Sequence, residues 1–224
     1  MSLNKNLFAV FIFSIAMAYL ESAVVVYLRY LYYPMGFIFP IKMIPNQTLF
    51  IELGREAVTI IMLLAIALLS SKLTRQRIFF FFFAFGVWDI FYYIWLKIFI
   101  NWPQTLLADD LLFLIPVPWI APIVAPILIS VLFITISIMA LKKIEKGKQV
   151  EISKTNAAII LVGVLLILIS FMWNYRERLI STSPVEFFWM VFIIGLLLMI
   201  AGGINIILQK GEEKKSRKAA EPQD

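Results

Sequence analysis

The chain has 224 residues, of which 62% are hydrophobic and 15% are charged, and its formal net charge is +6. Soluble domains are about half apolar and about a quarter charged, so this composition indicates an integral membrane protein. The chain contains no His and no Cys, which excludes disulfides, Fe–S clusters, His-ligated haem, the usual zinc sites and Ser-His-Asp catalysis.

Six stretches are long and apolar enough to cross a bilayer, which takes about 20 residues of α-helix. The sequence therefore predicts an all-α membrane protein with a single six-helix transmembrane domain over residues 1–208. The charged tail over residues 209–224 is predicted to be disordered. In chain order the predicted spans are 7–33, 48–71, 78–100, 119–141, 157–173 and 187–208.

The first span has two interpretations. Its basic start, its apolar run and the sequence Ala16-Met17-Ala18 are typical of a cleaved signal peptide. The apolar run continues beyond this point through residues 23–28, which favours an uncleaved span. Both interpretations stay open on the sequence alone.

The basic residues between the spans predict the orientation of the bundle. Fourteen Lys and Arg residues precede the first span, follow the sixth, or lie in the second-to-third and fourth-to-fifth connections. The other connections carry three. Because basic connections stay in the cytoplasm, this count predicts cytoplasmic N- and C-termini. It also explains the net charge of the chain without a nucleic-acid partner.

Ionisable residues inside the predicted spans are the strongest functional signal, because each costs about a few kcal/mol to place in a membrane. Glu52 and Glu56 are four residues apart and share a helix face, and Arg55 lies three residues after Glu52. Similar spacings on the first and third spans predict that the first three helices face one another. The candidate ligand-binding residues are Glu21, Arg29, Glu52, Arg55, Glu56, Asp89, Tyr93, Lys97, Asp109 and Asp110.

In the predicted orientation all of these charges lie in the outer half of the membrane or just above it. Six are carboxylates and three are bases. One interpretation is that ion pairs simply pin the helices together. The other is a ligand site, because buried carboxylates without a partner need a proton, a cation or a water-filled cleft. A divalent cation such as Mg²⁺ is one candidate ligand, although no spacing specifies a metal.

The connection between the third and fourth spans is also unusual. Residues 105–115 are too few to cross the membrane and predict an interfacial or re-entrant helix. Pro122 and Pro126 fall inside the predicted fourth span and would break its hydrogen bonds. A broken helix at membrane depth lines a cavity or is buried in protein; a kink that only shapes packing is the alternative. This connection and the apolar segment 34–45 are expected to cover the carboxylate cluster.

Four segments of the first half resemble an uncharacterised family of bacterial multi-pass membrane proteins. The resemblance extends over roughly the first 130 residues and brings no known activity. It implies a location in the bacterial inner (cytoplasmic) membrane. The segments are ESAVVVYLR (21–29), ELGREAVTIIML (52–63), FGVWDIFYY (85–93) and LLFLIPVPWIAP (111–122).

Three functions stay open on the sequence. The first is an outward-facing site that binds, and in an enzyme also transforms, a small polar or lipid-linked substrate. In an enzyme, Glu52, Glu56 and Asp89 are the candidate acid–base groups, and the bases would hold an anionic head group. The second is a transporter or the substrate-binding subunit of one. The third is a non-catalytic subunit of a membrane complex, with other membrane proteins as partners. The sequence specifies neither the substrate nor the oligomeric state.

Overall fold

The computed structural model describes residues 2–42, 44–181 and 185–208, and these ranges contain seven helices and one two-stranded sheet. The tail predicted over residues 209–224 lies outside them. In chain order the elements are α1 (Leu3–Tyr32), α2 (Asn46–Ser70), α3 (Thr74–Ile100), β1 (Asp109–Phe113), β2 (Trp119–Pro122), α4 (Val124–Glu145), α5 (Lys154–Met172), α6 (Tyr175–Ile180) and α7 (Trp189–Leu208).

Every described helix except the short α6 is long and apolar enough to cross a membrane, which confirms the six predicted spans. Their most apolar stretches have mean hydropathies between 1.7 and 2.7. The shortest of them, α5, has 19 residues and is therefore about 29 Å long, close to the thickness of a hydrocarbon core. Its start is fixed by the Ser153 hydroxyl, which accepts a hydrogen bond from the Asn156 N–H.

Consecutive long helices run in opposite directions, so their starts and ends lie at two ends of the bundle. Near the start of α1, the Asn6 side chain donates a hydrogen bond to the Ser70 carbonyl at the end of α2 (2.7 Å). Near the end of α4, the Lys143 ammonium donates to the Ile207 carbonyl at the end of α7 (2.9 Å). We call this end, which carries the α2–α3 and α4–α5 connections, the basic end. The opposite end is the hairpin end.

The helices form two groups that α4 joins. α3 packs on α1 and α4, α7 packs on α4 and α5, and α2 lies at the edge against α1 and α3. α5 and α7 approach closely at Gly163 and Gly195. A Cβ on either glycine would lie 2.8 Å from the carbonyl oxygen of the other, so a larger residue would push these helices apart.

The basic end is filled by the largest buried apolar cluster. It includes Val10 from α1, Leu63 from α2, Phe80 from α3 and Leu141 from α4, each at most 1% exposed. Packed side chains from four helices therefore close this end of the bundle, whereas the buried polar residues of α2 lie towards the hairpin end.

Residues 109–122 form a β-hairpin, so the interfacial or re-entrant helix predicted over 105–115 is wrong. β1 pairs antiparallel with β2, with Asp110 opposite Ala121 and Leu111 opposite Ile120. The turn between the strands contains two prolines, which have no N–H to donate and disfavour a helix. Pairing satisfies the backbone groups that the two strands turn towards each other, and the Ile120 carbonyl also accepts from Arg178, which helps this non-helical segment to pack on the bundle.

The broken fourth helix is also not found. α4 begins at Val124 rather than at residue 119, and Pro122 is the last residue of β2. Pro126 is the third residue of α4. A proline in the first turn removes an N–H that has no intrahelical acceptor in any case, so α4 continues unbroken.

Candidate functional site

A cavity of about 500 Å³ lies between the helices and extends under the β-hairpin. It brings together residues from α1, α2, α3 and β1 that are far apart in the sequence. Lys97 and Asp109 were also predicted as site residues, but they are not part of its wall. The predicted residues that line the cavity are Glu21, Arg29, Glu52, Arg55, Glu56, Asp89, Tyr93 and Asp110.

Arg55 joins α2 to α1. Its guanidinium forms a salt bridge with Glu21 of α1 and a second with Glu52, whose Oε2 lies 2.8 Å from Nη2. The other oxygen of Glu21 accepts a hydrogen bond from the Thr59 hydroxyl (2.9 Å). The predicted contact between the charged faces of the first two spans is therefore present.

Arg29 joins α1 to the hairpin. Its guanidinium pairs with Asp110 of β1 at 3.1 Å. The Arg29 Cζ atom also lies 3.7 Å from the centre of the Trp102 ring and 4.4 Å from the centre of the Phe37 ring. Arg29 is only 7% exposed, so the ion pair and both aromatic contacts are shielded from solvent.

Glu56 and Asp89 differ from the other buried acids. Neither forms a salt bridge with any described residue. Both oxygens of Glu56 accept from the Leu114 N–H, at 3.0 and 2.9 Å. Asp89 accepts from the Ser130 hydroxyl of α4 at 2.8 Å. The polar face of α3 thus meets α4 through Asp89, and it also lines the cavity that the charged faces of α1 and α2 border. These two carboxylates have neutral donors and lie at the cavity wall.

The two predicted residues outside the cavity have local roles. Lys97 lies in the last turn of α3, where its ammonium donates to the Pro103 carbonyl (2.9 Å). A cation at this position also favours the negative end of the helix dipole. Asp109 pairs with Arg178 of α6, with 2.6 Å between Oδ2 and Nη2. Both residues hold connections in place beside the cavity.

Sequence reasoning missed several partners of the site. Arg178 is 4% exposed and its guanidinium also donates to the Ile120 carbonyl of β2 (2.8 Å). In the sequence it is one of two arginines in a short polar connection, with no signal that one of them is buried. Ser130 looked like an ordinary helical serine. The spacing of neither residue indicates its distant partner, Asp109 or Asp89.

Apart from Lys42 and Asn46, the rest of the cavity wall is aromatic and aliphatic. Rings from α3 and the hairpin lie near the carboxylates, and aliphatic side chains of α4, α5 and α7 line the part nearer the middle of the bundle. The site is therefore a carboxylate-rich pocket continuous with an apolar one. Besides Tyr93, the aromatic residues that α3 and the hairpin contribute are Phe85, Trp88, Tyr92, Phe113 and Trp119.

Asp110, in the hairpin, has a perturbed pKa. Burial raises the pKa of this carboxyl from 3.8 to about 6, and the nearby Arg29 charge opposes the rise. The folded state therefore holds this proton more tightly than the unfolded state does. On account of this group, stability is greatest below pH about 4 and falls as the pH rises through about 6.

We therefore expect the free energy of unfolding of Asp110→Asn, relative to that of the wild type, to be higher at pH 7 than at pH 4. The change in relative free energy of unfolding is at most about 3 kcal/mol, since one pKa unit corresponds to about 1.36 kcal/mol. Unfolding of both proteins in mild detergent across this pH range measures it. A relative stability that does not vary with pH would contradict the raised pKa of Asp110.

The residues at the cavity offer acid–base chemistry and charge recognition. Within the described ranges, no group of three or more acidic side chains is arranged to hold a metal ion. The described residues therefore do not form a preformed set of ligands for the divalent cation that the sequence suggested. Comparison of the chain with protein-family models, curated proteins and solved structures gave no match. The family resemblance of the first 130 residues stays a prediction.

Proposed function

We propose that the cavity binds a small polar or lipid-linked ligand from the outer side of a bacterial cytoplasmic membrane. The observation that carries this proposal is that Glu56 and Asp89 are buried at the cavity without a cationic partner in the described ranges. Both are buried, at 6% and 8% exposure, and neither pairs with a cation among the described residues, although both border an open cavity. If ion pairing were the only purpose of these charges, no surplus carboxylates would be needed.

The distribution of basic residues supports the outward direction. Two groups of basic residues lie at the basic end. The α2–α3 connection and the start of α3 carry Lys72, Arg75 and Arg77, and the region near the α4–α5 connection carries Lys142, Lys143 and Lys146. The cavity lies under the hairpin, at the opposite end. By the positive-inside rule the basic end faces the cytoplasm, and both chain termini with it, so the hairpin end faces outward.

The structure also favours particular residues for any chemistry at the site. Glu52 is held by Arg55 in a salt bridge. Glu56 and Asp89 have only neutral hydrogen-bond donors among the described residues. A carboxyl group in such surroundings exchanges a proton with a bound ligand without first losing an ion pair. In an enzymatic version of this proposal, Glu56 and Asp89 are therefore the acid–base groups.

A ligand that binds here is expected to raise the melting temperature of the purified protein in mild detergent. We would screen divalent cations and water-soluble head groups such as choline, ethanolamine, glycerol phosphate and glucose. At about 100 times its Kd, a ligand stabilises the folded state by about 2.7 kcal/mol. Glu56→Gln is expected to lose this shift, because it removes the charge and keeps the size of the side chain.

Glu177→Gln is the matched control, because Glu177 is an exposed residue of α6 at the same end of the molecule. This variant should respond to the ligand as the wild type does. An equal shift in Glu56→Gln would show that the ligand binds elsewhere. If no compound shifts the wild type while Glu56→Gln is less stable, the charges serve structure and the proposal is wrong.

A further inference from the structure

The polar and apolar parts of the cavity form one continuous space. Asp89 lies one helical turn from Phe85, and the wall continues along α5 from Phe171 to Val164. Seven residues of helix span about 10 Å, so the apolar part extends well into the bundle. A small polar ligand would fill only the part of the cavity near the carboxylates. The aliphatic side chains of this deeper part are Val164, Ile167, Leu168 and Met199.

The packing of the helices leaves this apolar part accessible from the side. α2 packs on α1 and α3, whereas α5 packs on α7 and β2. α2 contributes residues to the wall only from its first three turns, between Asn46 and Glu56. Below that level, α3, α4 and α5 border the cavity without it. In a membrane, the gap between α2 and α5 therefore faces lipid chains, which gives a hydrocarbon chain a route into the cavity.

The charges at the polar part favour a cationic head group. Both buried guanidinium groups of the wall already form salt bridges: Arg29 pairs with Asp110, and Arg55 pairs with two glutamates. The third cation of the wall, Lys42, is exposed, so an anionic head group in the buried part of the cavity would have to compete with these carboxylates for a guanidinium. Glu56 and Asp89, in contrast, form no salt bridge in the described part of the chain. An ammonium group placed between them would supply the missing positive charge.

The aromatic rings near these carboxylates point to the same class of ligand. Trp88, Tyr92 and Trp119 line the cavity with Asp89 and Glu56. Aromatic faces attract cations, and ammonium groups are commonly held among such rings. The Trp88 indole N–H, in a side chain 5% exposed, has no hydrogen-bond acceptor among the described residues.

We propose that the ligand is an amphiphile with an amine or quaternary ammonium head group and a hydrocarbon chain. The head group lies between Glu56 and Asp89, and the chain lies along α5 in the cleft that faces α2. This inference rests on the proposed function, because it names the class of ligand for the same cavity. It differs from the sequence-based hypothesis, in which the bases of the site hold an anionic head group.

The test compares three probes with the same chain and different head groups: dodecylamine, dodecanol and dodecanoate. Each is added at equal mole fraction to the purified protein in nonionic micelles, and its affinity is obtained from the shift in thermal unfolding. Dodecylamine is expected to bind at least about tenfold more tightly than the other two. Glu56→Gln and Asp89→Asn are each expected to weaken it by about tenfold or more, because each removes one partner of a buried charge pair.

The chain is tested by two neighbouring substitutions on α5. Val164→Phe fills the cleft, because Val164 lines the cavity, and is expected to weaken dodecylamine binding by about tenfold. Leu165→Phe is the control, because Leu165 is 49% exposed and is not part of the wall. It should leave the affinity unchanged. Propylamine, which has the head group with almost no chain, is expected to bind far more weakly than dodecylamine.

The outcomes separate this inference from the proposed function. Equal binding of dodecanol and dodecylamine, both weakened by Val164→Phe, would overturn the amine head group and leave the ligand site in place. Equal binding of propylamine and dodecylamine would overturn the chain. If Glu56→Gln and Asp89→Asn melt as the wild type does and bind every probe equally well, both the inference and the proposed function are wrong.

Discussion

Replacing Arg55 by Met is expected to lower the free energy of unfolding by about 3–5 kcal/mol. The substitution removes the cation that Glu21 and Glu52 share, while both carboxylates stay at least 89% buried. Breaking a buried ion pair from one side is costly because the remaining charges lose their compensation. Reversible unfolding in mixed detergent micelles measures the effect. Because Glu21 lies on α1 and Arg55 on α2, the loss should appear as weaker packing between these two helices.

The triple variant Glu21→Gln, Glu52→Gln, Arg55→Met separates charge from packing. It removes all three charges at once, so no carboxylate of this group is left without a partner. Replacing a whole buried ionic group by neutral residues is often nearly neutral for stability. We therefore expect the triple variant to be more stable than Arg55→Met alone. If it is no more stable, the cost of the single substitution comes from lost packing of the Arg55 side chain.

Helical periodicity predicted the part of the site that lies on α2. The buried residues of this helix, Glu52, Glu56, Thr59, Leu63 and Ala67, follow one another at intervals of three or four. Such spacing places them on one face of a helix whatever its neighbours are. The cost of a charge in a membrane then predicted that the glutamates face protein or a cavity. The first argument depends on local geometry and the second on the cost of desolvating a charge, and neither needs a distant contact; Glu52 and Glu56 are indeed buried on one face and line the cavity.

The pairing of the charges depends on contacts that the sequence does not display. Arg29 pairs with Asp110, which lies 81 positions later in the chain. Arg178 pairs with Asp109, which lies far earlier in the chain. Counting acids and bases predicted a surplus of carboxylates, but not which of them would stay without a cation. That depends on where the hairpin lies, because β1 carries both aspartates.

The hairpin itself was mispredicted because its residues fit two structures equally well. A short apolar run with acidic residues is compatible with an interfacial helix or with a strand, and its length does not decide between them. Pairing with Trp119–Pro122 decides it, since that segment supplies a partner strand. The prolines at 116 and 118 lie in the turn of this hairpin.

Replacing Arg29 by Met is the second substitution with a large expected effect, again about 3–5 kcal/mol. Arg29 contacts three segments around the cavity: Asp110 in β1, Trp102 after α3, and Phe37 after α1. Its loss leaves Asp110 buried without its cation and removes the contact that these segments share. Unfolding in mixed micelles measures the global effect. Faster hydrogen exchange of the hairpin amides would report local loosening of the hairpin.

Two further variants identify which contact matters. Arg29→Lys keeps the positive charge but loses the planar guanidinium that lies against both rings, so we expect an intermediate loss of stability. Adding Asp110→Asn to Arg29→Met removes the unpaired carboxylate and should recover part of the loss. If Asp110→Asn recovers nothing while Arg29→Lys is as unstable as Arg29→Met, the aromatic contacts and not the ion pair hold the hairpin over the cavity. The hairpin would then be attached mainly through Trp102 and Phe37, and protonation of Asp110 would have little effect on access to Glu56 and Asp89.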